Sequence, residues 1–293
     1  MNHKLKQEVP YLLFILPAFV AYTIFTIIPL IMSFRYSFTD WDGYNRANFV
    51  GFANYFGVFR DAAMKTAMRN TLFYGIMSPL LITIFAIPLS LILNSNMATK
   101  NIQRAIFFFP SVPSALILGY VWTYILSPLK SGALNFILSI FGIEPILWLA
   151  DPKLAMVSLL MIAVWGWSGW HACIYLANLK SIPAEYYESA IIDGANGWNK
   201  FRYITFPMLA PAMTISVMLN ITGSLKVFDM PFALTGGGPG YATTMITQMI
   251  IKSGVADKMY GKATAMSVMF FIVIFFITWF QLTLMKRREE KLQ

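Results

Sequence analysis

Trp165, Trp167, Trp170 and His171 fall within seven residues of one apolar stretch. On a helix, Trp167, Trp170 and His171 share a face at i, i+3 and i+4. Indole rings stack on the apolar faces of sugar rings, while a neighbouring polar tip reads hydroxyls. The competing reading is a tryptophan belt at the level of lipid headgroups. A second polar set, Ser216, Asn220 and Gly223, recurs at i, i+4 and i+7, with Ser224 adjacent. An asparagine in an apolar helix must face a cavity or another helix, because a bare amide is costly in hydrocarbon. Lys226 and Asp229 follow just beyond, three residues apart, placed to pair with each other or with a partner protein.

Other chemistry fails on spacing. His171 has no companions at metal-ligand spacing, so a buried, hydrogen-bonded imidazole is expected and no metal. Gly236-Gly237-Gly238-Pro239-Gly240 lacks the Lys-Ser/Thr of a phosphate loop, so any nucleotide is hydrolysed elsewhere. No nucleophile, base and acid come together in sequence, so the chain does not read as an enzyme. Asn220-Ile221-Thr222 matches a glycosylation pattern but lies inside an apolar stretch.

The elements that hold these residues are membrane spans. Of 293 residues, 58% are hydrophobic and 12% charged, with mean hydropathy +0.62; a soluble domain carries about 25% charged residues. A bilayer core needs roughly 20 apolar residues per helix, and six stretches meet that length: Tyr11 to Phe34, Thr71 to Leu93, Ala105 to Leu126, Leu154 to Ala177, Ile204 to Leu225 and Ala263 to Leu284. None contains Lys, Arg, Asp or Glu, as the cost of a charge in mid-bilayer demands. An all-α membrane protein with six transmembrane helices is therefore expected. The net charge of +9 sits at span ends, so headgroups explain it better than nucleic acid does. The lone Cys173 allows no disulfide within the chain.

Internal prolines, among them Pro17, Pro29, Pro79, Pro88, Pro110, Pro113, Pro207 and Pro211, are tolerated where neighbouring helices satisfy freed carbonyls. Lys4 and Lys6 precede the first stretch, which is longer than a signal-peptide core and is expected to remain as a span. With the N-terminus inside, segments 1–10, 94–104, 178–203 and 285–293 are cytoplasmic. Segments 35–70, 127–153 and 226–262 are then external. Both sets hold 11 Lys and Arg, but the inner set is little more than half as long. Short inner segments carry Lys100, Arg104, Lys286, Arg287 and Arg288, which puts both termini in the cytoplasm.

The inner segment from Ser181 to Ala195 predicts a short two-faced helix. Ser181 is a candidate N-cap, Pro183 suits a first turn, and Glu185 suits the positive end of the dipole. Gly194 or Gly197 would end it in a left-handed turn. Spacing groups Tyr187, Ala190, Ile191 and Gly194 on one face and Glu185, Glu188, Ser189 and Ile192 on the other. A helix lying on headgroups would prefer basic residues; this face is acidic, which favours a protein.

Glu188-Ser189-Ala190, Asp193-Gly194-Ala195, Phe201, Ile204 and Pro207 resemble the EAA loop of permease subunits in binding-protein-dependent ABC importers, with Ser189 where alanine is commonest. Leu234 to Pro239, preceded by Phe228-Asp229, is similar to an outer loop of maltose-type sugar permeases, as are Phe49 to Tyr55 and Asn70-Thr71-Leu72. The resemblance implies a type I (MetI-like) ABC importer permease, the first of two such subunits. It divides the chain into a tail and first span (1–34), an extracytoplasmic loop (35–69), a transmembrane core (70–285) with its coupling loop (181–207), and a basic cytoplasmic tail (286–293). It further implies a second permease subunit, two ATP-binding subunits that hydrolyse the ATP, an extracytoplasmic solute-binding protein and a carbohydrate solute. Glu185, Glu188, Ser189, Ala190, Asp193, Gly194 and Ala195 would couple to the ATPase. Trp165, Trp167, Trp170, His171, Asn220, Gly223 and Ser224 would line the path, the resemblance favouring Trp165 and Trp170. A permease for a non-sugar solute such as glycerol phosphate, an ion-coupled transporter and a membrane enzyme are the alternatives. The scarcity of ionisable groups within spans weighs against ion coupling.

Overall fold

A computed structural model describes residues 3–95 and 97–290, with side chains placed within 13–287 of that range. Among the described residues all regular structure is helical, save one isolated bridge between Thr39 and Phe49. The side chains of Lys4, Lys6 and Arg288, and the end of the 286–293 tail, lie outside the described residues.

Four helices are long and apolar enough to cross a bilayer, and two bent pairs pass the same test together, giving six spans when each pair counts as one. The first span is α1 (His3–Tyr22), a π-helical turn at Thr23–Ile27, and α2 (Ile28–Tyr36). α3 (Ala53–Arg60) follows in the loop, and α4 (Ala62–Asn94) is the second span, beginning nine residues before the apolar run. The third expected span is not continuous. α5 (Lys100–Phe108) and α6 (Ala115–Ile125) meet at 92°. After α7 (Ala133–Ile140) comes α8 (Pro152–Leu179), the fourth span. Then α9 (Ala184–Ile192) leads to the fifth span, where the segment Gly197–Met208, which runs from α10 (Gly197–Lys200) to α11 (Phe206–Met208), meets α12 (Ala210–Leu225) at 64°. α13 (Asp229–Thr235), α14 (Ile246–Ile251) and α15 (Tyr260–Glu290) complete the chain.

Proline spacing separates bent spans from continuous ones. Each proline removes one N–H and pushes on the carbonyl four residues back. Pro79 and Pro88, nine apart, leave α4 a single helix. Pro110 and Pro113, three apart, strike the same turn, and Ser114 starts α6 afresh by accepting a hydrogen bond from Ile117 N–H. Pro207 and Pro211, four apart, do the same after a π-helical turn at Phe201–Thr205.

The chain divides into two compact units. The first, residues 1–61 and 249–272, knots the end of the opening span. Asn54 Nδ2 donates to the carbonyls of Ser37 (2.9 Å) and Thr39 (2.8 Å), and Tyr55 OH meets Ser37 Oγ at 2.7 Å. The Phe49-to-Tyr55 motif is thus the clamp of this turn. Asp42 accepts the backbone N–H groups of Asn45 and Tyr44, which holds its carboxyl below the usual carboxylate range.

The second unit, residues 62–248 and 273–293, packs α8 against α4, α5 and α12, and α13 against α6. Two apolar clusters form. One gathers Tyr74, Leu118, Leu159, Ile162 and Met230; the other gathers Ala86, Ala172, Tyr175, Leu209 and Ala212. Asn70 donates to the carbonyls of Tyr241 and Thr244, and Thr71 Oγ1 accepts Ile246 N–H, so this motif ties α4 to the loop after α13. That loop is shaped by Gly236, Gly237 and Gly240 at positive φ, with Thr235 and Thr243 hydroxyls in contact.

Asn135 holds the loop between α6 and α8. Wholly buried, it donates to the carbonyls of Ser127 and Ile146 and accepts from Ile146 N–H and Trp148 Nε1. Asn135→Leu strands several of these groups and is expected to cost about 3 kcal/mol. The check is the thermal unfolding midpoint of detergent-purified protein, and an unchanged midpoint would refute the assignment.

Candidate solute cavity and coupling loop

Beside the first of these apolar clusters, which supplies Tyr74 and Met230 to its wall, lies a cavity of about 440 Å³. α4 contributes Tyr74, Ser78 and Ile82; α8 contributes Trp167, Trp170 and His171; α12 contributes Asn220, Gly223 and Ser224. The volume falls within the range of small-molecule sites. Its walls are largely apolar, and its polar groups are few and linked. His171 Nδ1 lies 2.8 Å from Ser216 Oγ, as expected of a buried, satisfied imidazole. Ser224 Oγ lies 3.3 Å from Asn220 Oδ1 and 3.4 Å from Ser78 Oγ. Asn220 is 7% exposed, and its Nδ2 has no partner among the described residues. An amide nitrogen buried in that way is costly unless something accepts its protons.

Six of the seven residues expected in the path line this cavity. Trp165 does not. It stands half exposed, edge-on to Trp122 at 5.4 Å, because i and i+2 on a helix point apart. Tyr74, Ser78 and Ile82 were missed, although their i, i+4, i+8 spacing on a span carrying a proline was there to see. Lys226 and Asp229 both stand at the cavity and, among the described residues, form no ion pair with each other. No group of three or more potential metal ligands occurs among the described residues.

The loop expected to couple to an ATPase is built on α9. Ser181 is not its N-cap: Ser181 Oγ donates to Asn178 O and closes α8, while Pro183 holds the N-cap position. The proline ring already sets the φ that starts a helix. At the other end Gly194 has φ +75°. Gly194 N–H bonds Ile191 O at 3.0 Å and Ala195 N–H bonds Ala190 O at 2.8 Å. This pair of bonds is a Schellman turn, which needs a left-handed residue four after the alanine. The spacing from Ala190 to Gly194 is therefore a geometric requirement of the turn. Gly197 instead opens α10, which Asn196 caps by accepting Asn199 N–H.

Tyr187 and Ala190 turn inward, and Tyr187 OH meets Thr205 Oγ1 at 3.0 Å. Ile191 does not share their burial; it is 61% exposed, and Ile192 87%. Glu185, Glu188, Ser189 and Asp193 are exposed beside them. The free face is thus acidic and aliphatic together, the composition of a protein contact.

A helical, multi-span chain with an internal cavity and a tethered loop helix has the form of a membrane transport component. The family model described as "Binding-protein-dependent transport system inner membrane component" matches residues 55–290, and the chain belongs to that family. It is accordingly an ABC importer permease, the inner membrane component of a transport system that depends on a binding protein, and not an enzyme. Among similar proteins is the probable starch degradation products transport system permease AmyD of Thermoanaerobacterium thermosulfurigenes, 30% identical over 98% of this chain and 97% of its own. The trehalose/maltose transport system permease MalF of Thermococcus litoralis is 32% identical, covering 91% and 90%. In fold, the chain is similar to one in the crystal structure of a bacterial ABC transporter that imports the acidic polysaccharide alginate. The TM-score is 0.87, with 24% identity and 97% of each chain covered.

Proposed function

We propose that the chain passes a carbohydrate through the cavity between α4, α8 and α12 while α9 carries the ATPase stroke into the membrane. The observation that carries the solute site is Asn220: a buried amide with free N–H groups, facing a cavity walled by Trp167 and Trp170. Sugars supply both hydroxyl acceptors and apolar ring faces for such a wall. Relatives named for starch products, trehalose and maltose, and arabinooligosaccharides support the solute class.

In this reading the permease pairs with a second permease subunit above two ATP-binding subunits, and an external binding protein delivers the solute. Both termini lie in the cytoplasm of a bacterial or archaeal cell. The exposed Glu185, Glu188, Ser189, Ile192 and Asp193 meet one ATPase. Ala190, Gly194 and Ala195 keep the helix end rigid. Displacement of α9 passes through Tyr187 to Thr205 and hence to the bent fifth span. Lys226 and Asp229, exposed at the cavity, face the binding protein or its released solute.

Asn220→Leu keeps the bulk and removes the free N–H groups. Losing a hydrogen bond to solute of about 1.5 kcal/mol predicts a roughly tenfold fall in sugar uptake by proteoliposomes of the whole transporter. ATP hydrolysis stimulated by the loaded binding protein should persist. Unchanged uptake would remove Asn220 from the path.

A further inference from the structure

Helix α3 has three distinct faces. Asn54, Tyr55 and Val58 turn toward the protein, and two small residues, Ala53 and Gly57, form a second, exposed face with the cation Arg60. Phe52, Phe56 and Phe59, at i, i+4 and i+7, form the third, and each is more than 60% exposed. Three solvent-facing phenylalanines in one stripe are not what water selects.

The level of this helix is set at both ends. Asn54 is bonded to the carbonyls of Ser37 and Thr39, immediately past the first span's end at Tyr36. At the other end Asp61, which caps α3, pairs with Lys262 Nζ at 2.9 Å. Lys262 is the last charge before the apolar run that opens at Ala263. Trp41 stacks on Tyr36 at 4.2 Å and tilts against Tyr260 at 5.3 Å, an aromatic belt at the same depth. α3 is thus pinned where two spans leave the hydrocarbon.

Continuity with the lipid-facing surface decides the occupant. Phe34, on a span whose apolar run has no buried residue, meets Phe38 edge-on at 5.4 Å, and Phe38 meets Phe52 at 5.4 Å. The stripe on α3 extends the exposed apolar surface of the first span. Arg60, roughly a quarter turn away, is placed for phosphate.

We propose that α3 is a membrane-surface helix that lies along the bilayer beside the end of the first span. Its three phenylalanines are inserted among phospholipid acyl chains, and Arg60 sits at headgroup level. This holds whichever side of the membrane that loop faces, so it stands apart from the solute reading.

Spin labels at cysteines replacing Phe56, Phe59, Ala53 and Gly57, in a Cys173→Ala background reconstituted in phosphatidylglycerol-containing bilayers, test it by collision with oxygen and with a nickel chelate. Labels at 56 and 59 should favour oxygen and those at 53 and 57 nickel, inverting the sign of the depth parameter across the helix. Nickel-favouring values at all four sites overturn the proposal. So does shielding at 56 and 59 only after a solute-binding protein is added, which would make the stripe a protein contact. If labelled variants fail to assemble, the natural chain is photolabelled with a glycerol-level diazirine phospholipid. Adducts within 49–60 support the proposal, and their absence there, with adducts on the first span, overturns it.

Discussion

Gly169→Val is expected to cost the permease its assembled core. A side chain at this position would run into the backbone carbonyl of Phe107 and the nitrogen of Phe108, so α5 and α8 could no longer pack as they do. The neighbour is backbone, held by helix bonds, and has no rotamer to turn away. Forcing even added methylenes into a packed core costs about 1–3 kcal/mol, and displacing backbone should reach or exceed the top of that range. The readout is the thermal unfolding midpoint and the monodisperse yield from membranes, both of which should fall sharply. Gly223→Ala is the control, since a Cβ there meets nothing within 4 Å. It should leave stability unchanged within about 0.5 kcal/mol. Equal behaviour of the two variants would show that the contact of α8 with α5 is not what Gly169 serves.

Gly194→Val should cut uptake at least tenfold while leaving the protein folded and inserted. The position has φ +75° and open space around it, so nothing clashes; the cost is backbone conformation alone. A left-handed residue with a Cβ pays about 1–2 kcal/mol, more when β-branched. That is enough to open the Schellman turn and free the end of α9, but not to unfold a six-span protein. We expect uptake by the reconstituted transporter to fall at least tenfold with the unfolding midpoint nearly unchanged. Gly194→Asn separates conformation from mere substitution, since asparagine tolerates the left-handed region. It should retain more uptake than valine. If asparagine and valine lose uptake equally, the turn's geometry is not the reason for glycine.

Much of the coupling loop was legible because its determinants are local. A Schellman turn needs only a left-handed residue at a fixed distance from a helical carbonyl; the sequence offered Gly194 and Gly197 for that place, and the bonds to Ala190 and Ile191 select Gly194. The misassigned N-cap, Ser181, is equally instructive. Serine can cap the helix ahead of it or close the one behind, and the choice rests on Asn178, in the helix that packs behind it. Ile191 failed for a related reason. Spacing put it beside Tyr187 and Ala190, but a nine-residue helix anchored chiefly through Tyr187 buries a narrower face than periodicity suggests.

Six apolar runs free of Lys, Arg, Asp and Glu, with a short two-faced stretch ending in glycine between the fourth and fifth, determined by themselves that this chain is a helical membrane protein with a loop helix. Burying charge in hydrocarbon and straining a left-handed residue are local costs that any single sequence must display. The tertiary structure alone decided which faces meet: His171 finding Ser216, Ser224 reaching Ser78 across 146 residues, Trp165 turned away from the cavity, and prolines three or four apart breaking spans that those nine apart leave continuous. In a bilayer, lipid-facing and core-facing surfaces are both apolar. In water a helix shows its inner face by being apolar on one side and polar on the other. A span lacks that contrast, and only the packed neighbours say which side is in.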